Sequence, residues 1–219
     1  MLMKLKRESV ARWGRAMLAS GLTHGSGGNL SCIDRAHGRI AVSPTGVSCG
    51  DLAPEDVVVM DEDGRVIDGR LEPSSESAFH LALYRHREDI GAVVHTHSAH
   101  ATAVACLERD LPPVHYLIGF VGNKVPLAPY ATYGSEALAR GILETIGRDY
   151  NGVLLAHHGV VTVGKDLETA FAASEAVEFV SRVYLLASAA GTPGSLSEAE
   201  MDRVIAKFKT YGRRQIRRG

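Results

Sequence analysis

Val10, Trp13 and Met17 recur at helical spacing near the start of the chain, so the first element expected is an amphipathic helix that stops near Gly21. The pattern then changes: "HGSGGNLSC" reads as a glycine-rich loop, and the apolar runs in "RIAVS" and "DVVVM" read as strands, with Asp63-Gly64 turning the second toward "RVI". "PSSESAFHLALYRHR" returns to the helical period, with a Ser near its N-cap and Phe79 and Leu83 on one face. "AVVHTHSAH", residues 92–100, is a buried strand leading into a helix over about 99–108. "VPLAP" and "GVLLAHHGVVTVG" are further strand runs, the second bent at Gly159. "GSEALARGILETIG" and the segment from Asp166 to about Ala190 are helical, and a capping box of Ser197 and Glu200 opens the last helix before "MDRVIAKFKTYG". Short hairpins mixed with long helices predict an α/β fold: a mixed, largely antiparallel central sheet with helices on both faces. No internal repeat or low-complexity linker divides the 219 residues, so they are expected to form a single domain, 1–219, with about 210–219 as a mobile C-terminal tail.

Charge narrows the class of function. Lys plus Arg number 24 against 25 for Asp plus Glu, and this near-neutral balance argues against a nucleic-acid or acidic-membrane partner. The local exception, "RRQIRRG", reads as a solvated terminus. Cys32, Cys49 and Cys106 lie far apart without a C-x-x-C, the pattern of reduced thiols in a cytosolic protein. Lys4, Lys6, Arg7, Arg12 and Arg15 interrupt any signal-peptide core, and no apolar stretch is long enough to span a bilayer. A cytoplasmic protein is expected.

The chemistry-bearing residues are histidines. On a strand, side chains at i and i+2 share a face, so His95 and His97 sit side by side. A third imidazole is available in "LLAHHG", where His157 and His158 face opposite ways and only one can serve. Three His ligands leave a coordination position open on a divalent cation, which marks a catalytic rather than a structural site. His100 reads as a core or hydrogen-bonding residue, and His24, His37, His80, His86 and His115 have no ligand-like spacing. "GSGGN" fits neither a Walker loop nor G-x-G-x-x-G. Beside "SPTG" at 43–46 and "PSSE" at 73–76, however, it offers small hydroxyls, backbone N–H groups and a helix N-terminus, a phosphate cradle that needs no lysine. Taken alone, Ser74 and Ser75 are caps, and Glu76 is an acid suited to the positive end of a helix dipole.

"GSGGNLS", "SPTG", "PSSE", "VVHTHSAHATAV", "VHYLI", "APYATYG", "HHG" and "KFKTYG" occur in an order that resembles the class II aldolase/adducin family, and most of all its L-fuculose-1-phosphate aldolase branch. The resemblance implies that His95, His97 and His158 bind zinc, with manganese or cobalt as alternatives, and that His157 is a neighbour. Glu76 matches the family's catalytic carboxylate, which can touch the metal when the site is free of substrate. Gly28, Asn29, Thr45, Gly46, Ser74 and Ser75 match its phosphate-binding positions. Tyr116 matches a proton-handling tyrosine that reaches the neighbouring subunit's site, and Tyr211 the tyrosine of a mobile C-terminal segment that closes over substrate. A C4 homotetramer with sites at subunit interfaces is implied. Tyr133 stands where the fuculose aldolase pattern has Phe, and Gly27 where Ser is commoner; both departures bear on the aldehyde rather than on metal or phosphate.

The activity so implied is reversible cleavage of a ketose 1-phosphate, L-fuculose 1-phosphate or a related 5-deoxy or 5-methylthio ketose 1-phosphate, to dihydroxyacetone phosphate and an aldehyde. Zinc stabilises the charge left as the C3–C4 bond breaks, and Glu76 returns a proton to carbon. A sugar-phosphate decarboxylase or epimerase is the rival on the same scaffold. The epimerase branch has Asp at the position of Glu76, and the decarboxylase branch lacks the tyrosines of "HY" and "KTYG". A non-catalytic adducin-like interaction module is the rival of another class, and the retained histidines and Glu76 count against it.

Overall fold

In the computed structural model, which describes residues 1–208, eight strands form one sheet in the order β4-β3-β2-β1-β5-β8-β7-β6. The strands are β1 (Asn29–Asp34), β2 (Arg39–Val42), β3 (Val58–Asp61), β4 (Val66–Asp68), β5 (Ala92–Thr96), β6 (Leu127–Ala128), β7 (Gly152–Leu155) and β8 (Gly159–Gly164). Every neighbouring pair is antiparallel except β6–β7, so the mixed, largely antiparallel sheet expected from the sequence is the one observed. Among the described residues six α-helices cover it: α1 (Lys4–Ala19), α2 (Ser77–His86), α3 (Ala99–Ala105), α4 (Glu136–Ile146), α5 (Leu167–Ala190) and α6 (Glu198–Phe208). None is long and apolar enough to cross a membrane.

The strand period of two divides the core. Ile33, Val93, Val161 and Val163 face α2 and α4, where Phe79, Leu83, Leu138 and Ile142 complete one buried layer. Leu30, Cys32, Ala92 and Val94 face α1 and the start of α5, meeting Val10, Met17 and Phe171 in a second layer. A third cluster joins α3, α5 and α6 through Val104, Val177, Val180 and Met201. Phe79 is buried and edge-on to His95, with ring centroids 5.7 Å apart. Truncation of such a residue to Ala costs about 3–5 kcal/mol.

Four local expectations are corrected. "HGSGGNLSC" is a loop only up to Gly28; from Asn29 the chain is central strand β1, because its side chains at 29, 31 and 33 pack beneath α2. "GVLLAHHGVVTVG" is not one bent strand but the hairpin β7–β8, turned at Ala156–His158 with His157 in the left-handed region at φ 55°. Glu76, not a Ser, is the N-cap of α2, while the Ser74 hydroxyl accepts from the Glu76 N–H at 3.2 Å. At α6 half of the capping box forms: Ser197 accepts from the Glu200 N–H, but the Glu200 side chain pairs with Arg203. A 3-10 helix at Tyr116–Phe120 had no counterpart in the periodicity.

Candidate active site and metal centre

Three adjacent backbone segments converge at one end of the central strands. Asn29 on β1 lies opposite His95 on β5, and His95 in turn lies opposite Val161 on β8. His97 follows just past the end of β5, and His158 occupies the turn before β8. Ring centroids of His95, His97 and His158 stand 4.8 to 5.1 Å apart, and one nitrogen from each lies within 4.8 Å of the others. The order His158-Gly159 has a steric reason. A Cβ at Gly159 would stand 2.3 Å from the Thr96 carbonyl oxygen and 3.1 Å from the His97 ring, so only glycine lets β8 come up against the end of β5 here. His157 turns outward to the rim, its Nε2 3.0 Å from Glu108 Oε1; the two histidines part because the turn places His157 in the left-handed region, not because a strand alternates there.

The donor set fits a divalent cation. His95 is fully buried, and its Nδ1 donates to the Val160 carbonyl at 3.0 Å, which leaves the Nε2 lone pair facing the cluster. Burial, with help from the neighbouring His95 charge, pushes His97 and His158 down to about 4, so both rings are neutral and able to ligate near neutral pH. Beside them Glu76 Oε1 is buried without a hydrogen-bond partner, 3.5 Å from His158 Nε2. A buried carboxylate oxygen left bare next to three convergent imidazoles is what a site built for a cation, or for a proton-exchanging substrate, would contain.

Glu76 is the acid of this site. An N-cap side chain ordinarily accepts from its own helix; Glu76 makes no such bond and turns to the cluster instead. Its Oε2 accepts from Asn29 Nδ2 at 2.9 Å and lies 3.3 Å from His95 Nε2. Burial alone would raise its pKa, but the adjoining His95 and His158 imidazoles and the Asn29 amide outweigh it and hold the carboxyl down to about 2. It is ionised at neutral pH.

All six residues expected to hold phosphate line one cleft of about 380 Å³ together with Glu76, His97 and His158. An antiparallel bridge between Pro44 and Pro73 sets "SPTG" alongside "PSSE", with Ser74 N–H bonded to the Ser43 carbonyl at 3.0 Å. Gly28 has φ 70°, and a Cβ there would stand 2.5 Å from the His95 carbonyl oxygen; glycine is required. Among the described residues no Lys or Arg lines the cleft, so an anion there would be met by N–H groups, hydroxyls and the N-terminus of α2. Tyr133 and Tyr130 form an exposed aromatic wall over it, carried by a loop whose Gly134 packs against the Ser75 carbonyl.

Of the two tyrosines expected to act here, only one is among the described residues. Tyr116 is half exposed on its 3-10 helix, packs beside His115 and Phe208, at 4.7 and 6.2 Å between ring centroids, and is not among the residues lining the cleft. Tyr211 lies outside the described residues. His100 is hydrogen-bonding, as expected, with Nδ1 2.6 Å from Glu178 Oε1. His80, set aside for its spacing, is fully buried directly behind Asn29. Its i+4 relation to Glu76 was the available signal.

Residues 8–185 match the family described as Class II Aldolase and Adducin N-terminal domain, so the chain belongs to that family. Within it the chain stands with the aldolases, carbon–carbon lyases of the fuculose-phosphate aldolase type. It is 43% identical to the 5-deoxy-D-ribulose 1-phosphate aldolase of Bacillus thuringiensis, over 97% of this chain and 99% of that one. It is 38% identical to the L-fuculose phosphate aldolase of Escherichia coli, over 90% and 91% respectively. A solved L-fuculose 1-phosphate aldolase superimposes with a TM-score of 0.93 at 38% identity, covering 95% of this chain and 98% of that one. Class II aldolases depend on a metal, and this histidine cluster could hold one.

Proposed function

We propose that the chain cleaves a ketose 1-phosphate, reversibly, to dihydroxyacetone phosphate and an aldehyde, using zinc or a similar divalent cation held by His95, His97 and His158. The observation that carries this reading is the convergence of three imidazoles, one bare carboxylate oxygen and an anion cradle without lysine among the described residues in a single cleft. When bound, the cation supplies Lewis-acid stabilisation where negative charge develops on substrate oxygen.

The remaining work falls to side chains and backbone. Gly28, Asn29, Thr45, Gly46, Ser74 and Ser75 anchor the phosphate through N–H groups and hydroxyls. In the condensation direction the ionised Glu76 removes a proton from C3 of dihydroxyacetone phosphate and passes it to solvent; in cleavage the same carboxylate first takes up a proton from solvent and then delivers it to carbon. Oε1, with no hydrogen-bond partner, is the atom free to do so. The half-exposed Tyr116 reaches the site of a neighbouring subunit and handles the C4 hydroxyl proton, which makes the working form an oligomer, a C4 tetramer. Tyr211 closes over the aldehyde end. Three cysteines without a disulfide and a phosphorylated substrate class support cytoplasmic residence.

Among candidate substrates, 5-deoxyribulose 1-phosphate comes first, on the strength of the 43% identity to an aldolase of that name. Incubation of the metal-loaded enzyme with L-fuculose, 5-deoxyribulose and 5-methylthioribulose 1-phosphates, scoring dihydroxyacetone phosphate, tests the reading. Release is expected from all three and fastest from the 5-deoxy sugar. Stoichiometric metal with no release from any of them contradicts it.

A further inference from the structure

α2 carries polar residues on a face where a helix packed on a sheet ordinarily carries apolar ones. Glu76, His80 and Tyr84 recur at i, i+4 and i+8 and share that face, which meets Asn29 and Ser31 at i and i+2 on β1. The five side chains make one continuous hydrogen-bonded chain. Its direction is set from the carboxylate end, because a carboxylate only accepts. Asn29 therefore turns its amide nitrogen to Glu76 Oε2 at 2.9 Å and its Oδ1 to His80. His80 Nε2, 2.6 Å from that oxygen, must carry the ring proton. Nδ1 then holds a lone pair and accepts from the Ser31 hydroxyl at 2.7 Å, and the Ser31 oxygen accepts from the Tyr84 hydroxyl at 2.7 Å. Burial, aided by the nearby His95 charge, pushes His80 down to about 3, so the ring keeps its neutral form.

We propose that Tyr84, Ser31 and His80 are positioning residues that lock the Asn29 amide, and through it Glu76 Oε2, so that Oε1 alone is left to exchange a proton with the substrate carbon. This rests on the aldolase reading of the cleft. None of the three lines the cleft; they act through Asn29. Without the His80 donor, the Asn29 amide is free to turn over and present Oδ1 to the carboxylate, and two acceptors repel.

The test follows deuterium entering C3 of dihydroxyacetone phosphate in heavy water, with no aldehyde present and with bound metal measured by elemental analysis. His80→Leu removes both ring hydrogen bonds, Ser31→Ala and Tyr84→Phe shorten the chain from its far end, and His80→Gln keeps an N–H donor toward Asn29. Exchange per bound metal is expected to fall by about 30- to 100-fold in His80→Leu, about tenfold in Ser31→Ala and about two- to threefold in Tyr84→Phe, with near-normal exchange in His80→Gln. The dihydroxyacetone phosphate concentration at half-maximal exchange should stay within about threefold throughout, since Gly28, Thr45, Gly46, Ser74 and Ser75, five of the six cradle residues, are untouched. If His80→Leu does not fold, Ser31→Ala and Tyr84→Phe carry the same test. Full exchange per metal in His80→Leu or Ser31→Ala overturns the proposal, as does a loss explained entirely by lost metal or lost affinity. A wild-type enzyme that loads metal but exchanges no proton overturns the aldolase reading itself, and the proposal with it.

Discussion

β1 and β5 lie side by side in the middle of the sheet, and their two faces are built on different terms. Toward α1 and α5 they present Leu30, Cys32, Ala92 and Val94, all buried. The polar pair on that side of the neighbouring strand closes on itself: the Thr162 and Ser174 hydroxyls lie 2.6 Å apart, and Thr162 donates to the Ala170 carbonyl at 2.8 Å. Toward α2 the same strands present Asn29, Ser31 and His95, and their hydrogen bonds run without a break to a carboxylate oxygen that has no partner. On the α1 and α5 side buried polar groups are mostly met locally, the Thr96 hydroxyl being an exception. A polar chain that ends on a bare oxygen in a cleft is organised for what enters that cleft.

The comparison breaks most sharply at the carboxylate. Glu76→Gln should keep the metal, since the three imidazoles remain, yet lose about 10²- to 10⁴-fold in solvent exchange of the dihydroxyacetone phosphate proton, the range of a positioned general base. Deuterium incorporation followed by NMR reads it, and normal exchange in the variant would refute the role. The steric support of the cluster comes next. Gly159→Ala forces a Cβ to within 2.3 Å of the Thr96 carbonyl oxygen, so β8 must move and carry His158 with it. Metal affinity, measured by competition with a chromophoric chelator, should fall by about 10- to 100-fold.

The third effect is a pH dependence confined to the α2 face. His97 and His158 are held down at about 4 and His80 at about 3, against an ordinary value of 6.5. Below about pH 6.5 the unfolded chain takes up protons on these rings that the folded, metal-free chain refuses, so stability falls as pH drops from there toward about 4. Above that window these rings contribute no slope. Glu76, held down to about 2 from 4.5, adds a loss in the same direction but only below about pH 4.5. Urea midpoints of the chelated protein should therefore decline between about pH 6.5 and 4.5, and less so in His158→Gln; an equal decline in the two would contradict the assignment. Smallest is Tyr133→Phe at the aromatic wall. It should leave metal and phosphate affinity unchanged and alter the preference among aldehydes by about two- to fivefold, the effect of one rim hydroxyl; competing aldehydes in the condensation assay measure it.

What the sequence disclosed and what it hid follow the same division. The pairing of His95 with His97 was legible because strand alternation is a local rule, and the helix carrying Glu76 because its apolar period survives the polar stripe; His158 was preferred to His157 only through resemblance. β1 was hidden: Gly27, Gly28, Asn29 and Ser31 are loop formers by local preference, and only their partners on α2 make the segment a central strand. The β7–β8 hairpin was hidden because "AHHG" carries no hairpin turn signature, its left-handed residue being His157 rather than glycine or asparagine. His80 was passed over because its partners, Asn29 and Ser31, come from about fifty residues away in the chain. Tyr116 was singled out only through resemblance, and among the described residues it is not part of the cleft's lining.

The central claim is that three imidazoles hold a metal beside Glu76, and it is tested most directly by two adjacent histidines that the turn before β8 sends opposite ways. Elemental analysis of purified His157→Ala and His158→Ala, side by side with the wild type, is the measurement. His157→Ala should carry the wild-type complement of metal and fold normally, having lost only its rim contact with Glu108. His158→Ala should be folded, hold little or no metal, and release no dihydroxyacetone phosphate. Full metal and full activity in His158→Ala, or loss of both in His157→Ala alone, would contradict the account.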